Sequence, residues 1–173
     1  MREEYRLDRI VFIPASIPPH KEVAGNVDAS HRVHMVRRSI AHNEHFLCDD
    51  VEVKRGGVSY TIDTVEYVYE NYGFEDRPSF ILGSDLLKEI LTWKNIEELS
   101  RKVHFIVLLR EDVPTGRPVP GLHDFPSYEL FKKRKIDITS SDIRERVKQG
   151  RSIRYLVADS VLQYIMRNRL YRD

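Results

Sequence analysis

Phe80 to Asp85 read FILGSD, and this stretch decides the predicted fold class. A short, continuous apolar run ends on a glycine and two polar residues. Apolar residues then recur at the spacing of a helix, at positions 86, 87, 90 and 91. The pattern predicts a buried strand over residues 80–83 that leads directly into a helix capped by Ser84.

The same alternation of strand and helix extends to both sides of this stretch. Short apolar runs predict further strands over residues 9–15, 46–53 and 103–109, with a weak strand over 136–138. Periodicity and capping residues predict helices that begin near residues 28–30, 61, 95, 142 and 159. Continuous apolar strands that alternate with helices are typical of a parallel sheet covered on both faces. The predicted class is therefore α/β, doubly wound.

The composition limits the functions that the chain can have. It has 173 residues, with 28 Lys and Arg against 27 Asp and Glu, and a formal net charge of +1. This near-neutral charge argues against nonspecific binding to nucleic acid or to a membrane surface. No apolar run is long enough to span a bilayer, and the polar start Met1–Arg6 is unlike a signal peptide. We expect one cytoplasmic domain over residues 1–173, with a long surface loop over 111–135.

Ligands of open parallel sheets bind beyond the carboxyl ends of the strands. This rule selects residues 14–21, 83–85, 110 and 139–144. In the last segment the hydroxyls of Ser140 and Ser141 open a helix, and Arg144 follows one turn later. Helix N–H groups, hydroxyls and a guanidinium together suit a phosphate. The alternative is an ordinary helix cap with a surface arginine.

Three other segments offer weaker candidates. His20 and Lys21 follow two prolines, whose rigidity favours phosphate binding, and a plain surface turn is the alternative. Gly83 would admit a ligand close to the backbone, and Asp85 would accept hydrogen bonds from ribose, unless it is only a first-turn helix residue. Trp93, the only tryptophan, either stacks on an aromatic ring or fills the core.

Other reactive residues lack a supporting pattern. The histidine pairs at positions 31/34 and 42/45 have no evident third ligand, so we predict no metal site. Cys48 has no partner motif and is interpreted as an inert thiol. The basic run over residues 132–135 is interpreted as a solvated surface. The sequence contains no dinucleotide-binding, Walker or nucleophile-elbow motif.

Five segments carry a family resemblance, and they are residues 11–21 (VFIPASIPPHK), 59–61 (SYT), 83–85 (GSD), 92–94 (TWK) and 139–144 (TSSDIR). In this order they resemble the nicotinate-nucleotide adenylyltransferases of the nucleotidyltransferase superfamily. Residues 151–156 (RSIRYL) are also similar to the family's closing segment. The resemblance implies a Rossmann-like fold with ATP and nicotinate mononucleotide as substrates and Mg²⁺ accompanying ATP. It implies deamido-NAD and pyrophosphate as products, within NAD biosynthesis.

The resemblance also implies roles for individual residues. The residues implied for nicotinate recognition are Tyr60, Thr61, Trp93 and Lys94. The pyridine would stack on the tryptophan, and backbone N–H groups would hold its carboxylate. The residues implied for ATP and phosphate binding are His20, Lys21, Gly83, Asp85, Arg110, Ser140, Ser141 and Arg144. Of these, Gly83 and Asp85 would contact ribose. The resemblance does not determine the oligomeric state, and a homo-oligomer is compatible with it.

One motif of the family is absent. None of the seven histidines lies in a His-x-Gly-His sequence, which follows the family's first strand and stabilises charge on the ATP phosphates. We therefore assign no catalytic residue and expect the chain to be incomplete at its amino end, without that strand. A chain that truly lacks the motif is expected to be inactive, and the transfer reaction is expected of the complete protein.

Two other functions stay open at this point. A degenerate, non-catalytic nucleotide-binding module would account for the absent histidine motif. An adenylyltransferase with another phosphate acceptor, such as phosphopantetheine, would share the ATP segments but not the segments at 59–61 and 92–94. The preference between nicotinate and nicotinamide also stays open.

Overall fold

The structure is a computed structural model that describes residues 1–19, 27–87, 89–109, 128–131 and 136–172. The described strands are β1 (Ile10–Phe12), β2 (Phe46–Cys48), β3 (Ser79–Gly83), β4 (His104–Leu108) and β5 (Tyr128–Phe131). The described α-helices are α1 (Ala29–Ile40), α2 (Val51–Arg55), α3 (Thr61–Asn71), α4 (Ile96–Lys102), α5 (Ser140–Lys148) and α6 (Asp159–Arg167). The chain forms two compact units, unit 1 (Met1–Ser59 with Ile136–Asp173) and unit 2 (Tyr60–Lys135), which are described separately.

Unit 1 contains a parallel pair of strands joined through a helix. Residues 10–12 of β1 pair in register with residues 46–48 of β2, and α1 lies between the two strands in the chain. The rings of Phe12 and Phe46 meet edge to face, with centroids 5.4 Å apart. Both strands were predicted, although each is shorter than its apolar run. The strand–helix–strand connection is the parallel crossover that the alternating pattern predicts.

The carboxyl-terminal part of unit 1 forms a second apolar core. Helix α6 packs against α1, and the segment between α5 and α6 lies over the same core. The buried residues of this core are Ile143, Val147, Ile153, Val161, Ile165 and Leu170. Helices α5 and α6 begin within two residues of the predicted starts near residues 142 and 159. In the described ranges, no helix is long and apolar enough to cross a membrane.

Unit 2 contains a three-stranded parallel sheet in the order β3-β4-β5. Helices α3 and α4 pack against each other, and apolar residues of both helices join the core of the sheet. The buried residues of this core are Ile62, Val65, Leu82, Leu87, Ile90, Leu99, Val103, Phe105 and Val107. The predicted α/β class with parallel strands is confirmed. The described strands are divided between the two sheets of units 1 and 2.

The predicted strand over residues 46–53 is wrong beyond Cys48. Asp49 Oδ1 accepts a hydrogen bond from the N–H of Val51 at 2.9 Å, which ends the strand in a tight turn. Helix α2 then begins, and Lys54 Nζ reaches Asp50 Oδ1 at 2.9 Å one turn away. The hydrogen bond of Asp49 thus ends the strand, and the ion pair of Asp50 with Lys54 stabilises the short helix that follows.

The helix predicted after Gly83 is also wrong. Residues 84–86 and 90–92 form two 3₁₀ turns, and Gly83, rather than the predicted Ser84, occupies the N-cap position of the first turn. Leu87 and Ile90, three residues apart, are both fully buried, whereas Leu91 is 48% exposed. A three-residue repeat matches the 3₁₀ geometry, because an α-helix with Leu87 inward would also bury Leu91.

Two predictions near the carboxyl end of the sheet need correction. Tyr128–Phe131 is a strand parallel to β4, within the segment that was predicted as a loop over 111–135. Residues 136–138 are not a strand, and Ile136 is 79% exposed. Phe131 is buried and pairs with Leu108 of β4, whereas Ile136 is exposed and belongs to none of the described strands.

The contribution of Asp28, the N-cap of α1, to the stability of the protein depends on pH. Its Oδ1 accepts a hydrogen bond from the N–H of Ser30 at 2.7 Å, and hydrogen bonds from Ser30 hold the pKa of Asp28 below its ordinary 3.8. A lowered folded-state pKa stabilises the protein above the unfolded value, and this stabilisation is lost as the pH falls through the folded value. Asn can cap the helix but does not titrate.

We therefore expect Asp28→Asn to lose less stability than the unaltered protein between about pH 5 and pH 2. Urea unfolding at a series of pH values measures this difference. Parallel curves for the two proteins over that range would show that the cap contributes no pH dependence.

Candidate active site

The residues predicted to bind substrates lie in both units. Ser140, Ser141 and Arg144 lie on α5 in unit 1. Those predicted for nicotinate and ribose lie in unit 2 and are Tyr60, Thr61, Gly83, Asp85, Trp93 and Lys94. His20, Lys21 and Arg110, together with the basic run at 132–135, lie outside the described residues.

The amino end of α5 combines a capped helix with a guanidinium. Thr139 Oγ1 accepts a hydrogen bond from the N–H of Asp142 at 3.0 Å, so the helix starts at Ser140. Arg144 Nη2 donates to Ser141 Oγ at 3.0 Å, which holds the guanidinium against the first turn. Ser140 and Ser141 are exposed, and Arg144 is half-buried. Positive charge and hydroxyls therefore meet at the end of the helix that favours anions.

Arg32 is a candidate that the sequence analysis missed. Its Nη2 donates to the backbone oxygen of Ser16 at 2.8 Å, in the loop that follows β1. Its Nε is buried and has no hydrogen-bond partner among the residues that the structure describes. A buried guanidinium N–H without an acceptor is costly and suits a site that receives an anion. Its position in the chain gave no signal, because helical periodicity identified only the apolar face of α1.

Ser59 holds the loop that Arg32 contacts. The N–H of Ser16 donates to Ser59 Oγ at 2.8 Å, and the N–H of Ser59 donates to the oxygen of Ile17 at 2.9 Å. Ser59 itself is buried. The backbone that follows β1 therefore has a fixed position beside Arg32.

The pKa of Tyr171 responds to the charges of both Arg32 and Arg144. Burial raises the pKa of the Tyr171 phenol, and the positive charges of Arg144 and Arg32 partly oppose the increase. Both guanidinium groups therefore act on the same phenol from within unit 1. Arg32 and Arg144, with the amino end of α5, are therefore the candidate anion-binding groups in the described part of unit 1.

Trp93 lies at the edge of the core of unit 2. It follows the second 3₁₀ turn in extended conformation, and its ring meets Phe80 edge to face with centroids 5.9 Å apart. The indole is half-buried, so it both fills the core edge and borders the surface. Its Nε1 is buried without a hydrogen-bond partner in the described ranges. An indole N–H in this state normally finds an acceptor, which is consistent with a ligand or a water molecule beside it.

Lys94 extends from Trp93 to the amino end of α3. Its Nζ lies 2.8 Å from Asp63 Oδ1 and 4.7 Å from the centroid of the Tyr60 ring. Tyr60, rather than the predicted Thr61, occupies the capping position of α3, and no side chain caps the helix. The first-turn N–H groups of α3 thus lie beside an aromatic ring, a carboxylate and an ammonium group.

Gly83 and Asp85 occupy the end of β3 and the 3₁₀ turn that follows. Gly83 is buried, with φ −79° and ψ 149°, which are angles that any residue adopts. The glycine is therefore not required by its conformation, and close approach of a ligand remains the interpretation of its small size. Asp85 is exposed in the first turn, at the carboxyl end of a parallel strand.

Two of the histidines that were considered as metal ligands have another partner. His31 Nδ1 lies 2.8 Å from the hydroxyl of Tyr164, and His34 meets the same ring edge to face. Arg38 lies over that ring, 4.4 Å from its centroid. These contacts join α1 to α6.

Cys48 is the last residue of β2. Burial raises the pKa of its thiol, which agrees with its interpretation as inert.

The chain belongs to the cytidylyltransferase-like family, whose family model matches residues 1–146. Two relatives identify the branch of that family as the nicotinate-nucleotide adenylyltransferases. A protein of Moorella thermoacetica named "Probable nicotinate-nucleotide adenylyltransferase" is 37% identical over 179 residues, covering 99% of this chain and 81% of its own. A protein of the same name from Geotalea uraniireducens is 36% identical over 192 residues, covering 100% and 88%. The family predicted from the five motif segments is confirmed.

Solved structures agree on the fold. The nicotinic acid mononucleotide adenylyltransferase of Plasmodium falciparum, complexed with NaAD, is 23% identical and has a TM-score of 0.69. It matches 95% of this chain and 82% of its own. The same enzyme complexed with APC gives a TM-score of 0.67.

Proposed function

We propose that this protein transfers the adenylyl group of ATP to nicotinate mononucleotide, giving deamido-NAD and pyrophosphate. The observation that carries the proposal is the amino end of α5, where Arg144 is held by Ser141 beside the first-turn N–H groups of the helix. Such a group of donors suits the phosphates of a nucleotide. The names of the relatives, at 36–37% identity over nearly the whole chain, supply the acceptor.

The residues of unit 1 would neutralise and position phosphates. In this reaction the 5′-phosphate oxygen of the mononucleotide attacks the α-phosphorus of ATP, and the bond to the β-phosphate oxygen breaks to release pyrophosphate. No enzyme nucleophile is needed, so catalysis depends on alignment and on stabilising phosphate charge. Arg144, with Ser140 and Ser141, would bind ATP phosphates, and Arg32 would add a second guanidinium. His20, Lys21 and Arg110 keep their proposed phosphate and nucleotide roles.

The residues of unit 2 would recognise the pyridine and the ribose. The indole of Trp93 offers a stacking surface, and its Nε1, which has no hydrogen-bond partner among the described residues, offers a donor. Tyr60, Thr61 and Lys94 surround the uncapped amino end of α3, which suits the nicotinate carboxylate. Gly83 and Asp85 would orient ribose at the end of β3.

Mg²⁺ would enter with ATP. In the described part of the chain, no three His, Cys, Asp or Glu side chains come together in a way that could hold a metal. Nucleotide sites bind Mg²⁺ mainly through substrate phosphates, water and one or two carboxylates. The donors of unit 1 are arginines and hydroxyls, which suit the phosphates themselves. We therefore propose Mg²⁺ as a companion of ATP rather than as a resident metal.

Product analysis tests the proposal. The protein is incubated with ATP, Mg²⁺ and one acceptor at a time: nicotinate mononucleotide, nicotinamide mononucleotide or phosphopantetheine. We expect deamido-NAD and pyrophosphate in equal amounts from the first acceptor and much less product from the others. Equal turnover of the two mononucleotides would refute the specificity, and product from phosphopantetheine alone would refute the proposed acceptor.

A non-catalytic nucleotide-binding module is the second candidate. The specific observation in its favour is that no His-x-Gly-His sequence occurs in the 173 residues. Calorimetry distinguishes the two functions, because this module would bind ATP and release no pyrophosphate when the mononucleotide is added.

A further inference from the structure

The Asp63–Lys94 ion pair lies at the end of α3 where the pyridine carboxylate is proposed to bind. Lys94 Nζ is 2.8 Å from Asp63 Oδ1, and the two side chains are 43% and 33% exposed. The ammonium group also lies 4.7 Å from the centroid of the Tyr60 ring. These two contacts, with a carboxylate and an aromatic ring, fix the position of the Lys94 ammonium group.

The two charges have opposite effects on an anion bound at this position. Asp63 lies in the first turn of α3, where a carboxylate interacts favourably with the positive end of the helix and competes there with an anionic ligand. Lys94 neutralises Asp63 and supplies an ammonium group of its own. An uncharged carboxamide at the same position would be almost insensitive to either charge.

We infer that the Asp63–Lys94 pair sets the preference of the site between a pyridine carboxylate and a pyridine carboxamide; this inference rests on the proposed function. Loss of Lys94 leaves Asp63 uncompensated and repels the carboxylate. Loss of Asp63 leaves Lys94 uncompensated and attracts it. Loss of both returns the local charge to that of the intact pair.

The size of the effect follows from the exposure of the pair. Both side chains are partly in contact with water, so solvent and salt screen their interaction with a ligand. We expect each single variant to change the ratio of the two affinities by about five- to tenfold, in opposite directions. The changes should shrink at high ionic strength, because the Debye length falls to roughly 3 Å at 1 M salt.

Calorimetry of four proteins tests the inference. Dissociation constants for nicotinate and nicotinamide mononucleotide are measured for the unaltered protein, Asp63→Asn, Lys94→Met and the double variant, at low and high salt. The matched control is Lys102→Met, which disrupts the Lys102–Glu98 pair of α4, with Nζ and Oε1 3.6 Å apart and similar exposure. Thermal unfolding of each variant shows that it is folded when binding is measured.

We expect the ratio of the affinity for nicotinate mononucleotide to the affinity for nicotinamide mononucleotide to fall in Lys94→Met and to rise in Asp63→Asn. The ratio should return near its original value in the double variant and should not change in the control. Unchanged ratios in folded single variants would overturn the inference and leave the proposed function intact. A change in the same direction for both, insensitive to salt, would also overturn it, since it would indicate a structural effect. Binding without formation of deamido-NAD would refute the proposed function alone, and failure of nicotinate mononucleotide to bind would refute both the proposed function and the inference.

Discussion

Replacing Arg144 with alanine is expected to weaken ATP binding about 10- to 100-fold, because a charge-assisted hydrogen bond contributes about 1.5–3 kcal/mol. The guanidinium lies against the first turn of α5, where Ser141 Oγ accepts a hydrogen bond from its Nη2 at 3.0 Å. Removing the side chain takes away a fixed cation and also releases the serine hydroxyl. Calorimetry with ATP and Mg²⁺ measures the loss, and the readout does not depend on turnover.

Two further variants of α5 make this prediction specific. Arg144→Lys keeps the charge but loses the planar fork, so its affinity for ATP should be intermediate. Lys148→Ala removes a cation from the exposed last turn of the same helix and should leave ATP binding within about twofold, as expected of a screened surface charge. Equal losses for Arg144→Ala and Lys148→Ala would show that only the net charge of the helix matters, and no loss for Arg144→Ala would contradict its proposed role.

Replacing Trp93 with alanine is expected to weaken binding of nicotinate mononucleotide about 10- to 100-fold, since stacking on an aromatic side chain contributes about 1–3 kcal/mol. ATP binding should change little, because the residues proposed to bind its phosphates, Arg144 and Ser141, belong to unit 1, whereas Trp93 belongs to unit 2. The free energy of unfolding will also fall, because the indole packs edge to face on Phe80. Calorimetry at a temperature where the variant is folded separates the two effects.

Matched aromatic substitutions test the same point. Trp93→Phe keeps a stacking surface without the indole N–H and should have an intermediate affinity for the mononucleotide. Phe74→Ala removes an exposed aromatic side chain that packs on Tyr69 in the same unit and should leave binding unchanged. An unchanged dissociation constant in folded Trp93→Ala would show that Trp93 is only a core residue.

The sequence predicted those parts of the molecule that depend on residues close together in the chain. The cap of α5 spans three residues, so the segment 139–144 was enough to predict a helix capped by a hydroxyl residue, with Arg144 near its amino end. The strands β3 and β4 were predicted because their apolar runs are continuous and buried on both faces.

The features that the sequence did not predict depend on distant contacts. The acceptor of Arg32 is Ser16, which is held by Ser59, 43 residues further along the chain. Asp63 and Lys94 are 31 residues apart and meet only after unit 2 has folded. No periodicity or short motif specifies such pairs, since tertiary packing creates them.

The remaining errors arose where side chains override an apolar pattern. Asp49 ends β2 through a hydrogen bond to the backbone, although apolar residues continue beyond it. The 3₁₀ turns after β3 bury Leu87 and Ile90 at a three-residue spacing, which an α-helical template does not anticipate. These turns also bring Trp93 to the edge of the core.

The most direct test of the central claim is the formation of product from ATP and nicotinate mononucleotide. The protein is mixed with both substrates and Mg²⁺, and deamido-NAD and pyrophosphate are quantified over time, with Arg144→Ala as the matched control. We expect the two products in equal amounts, at a rate that the substitution strongly reduces. Saturable binding of ATP and the mononucleotide with neither product formed would contradict the claim and identify the chain as a nucleotide-binding module.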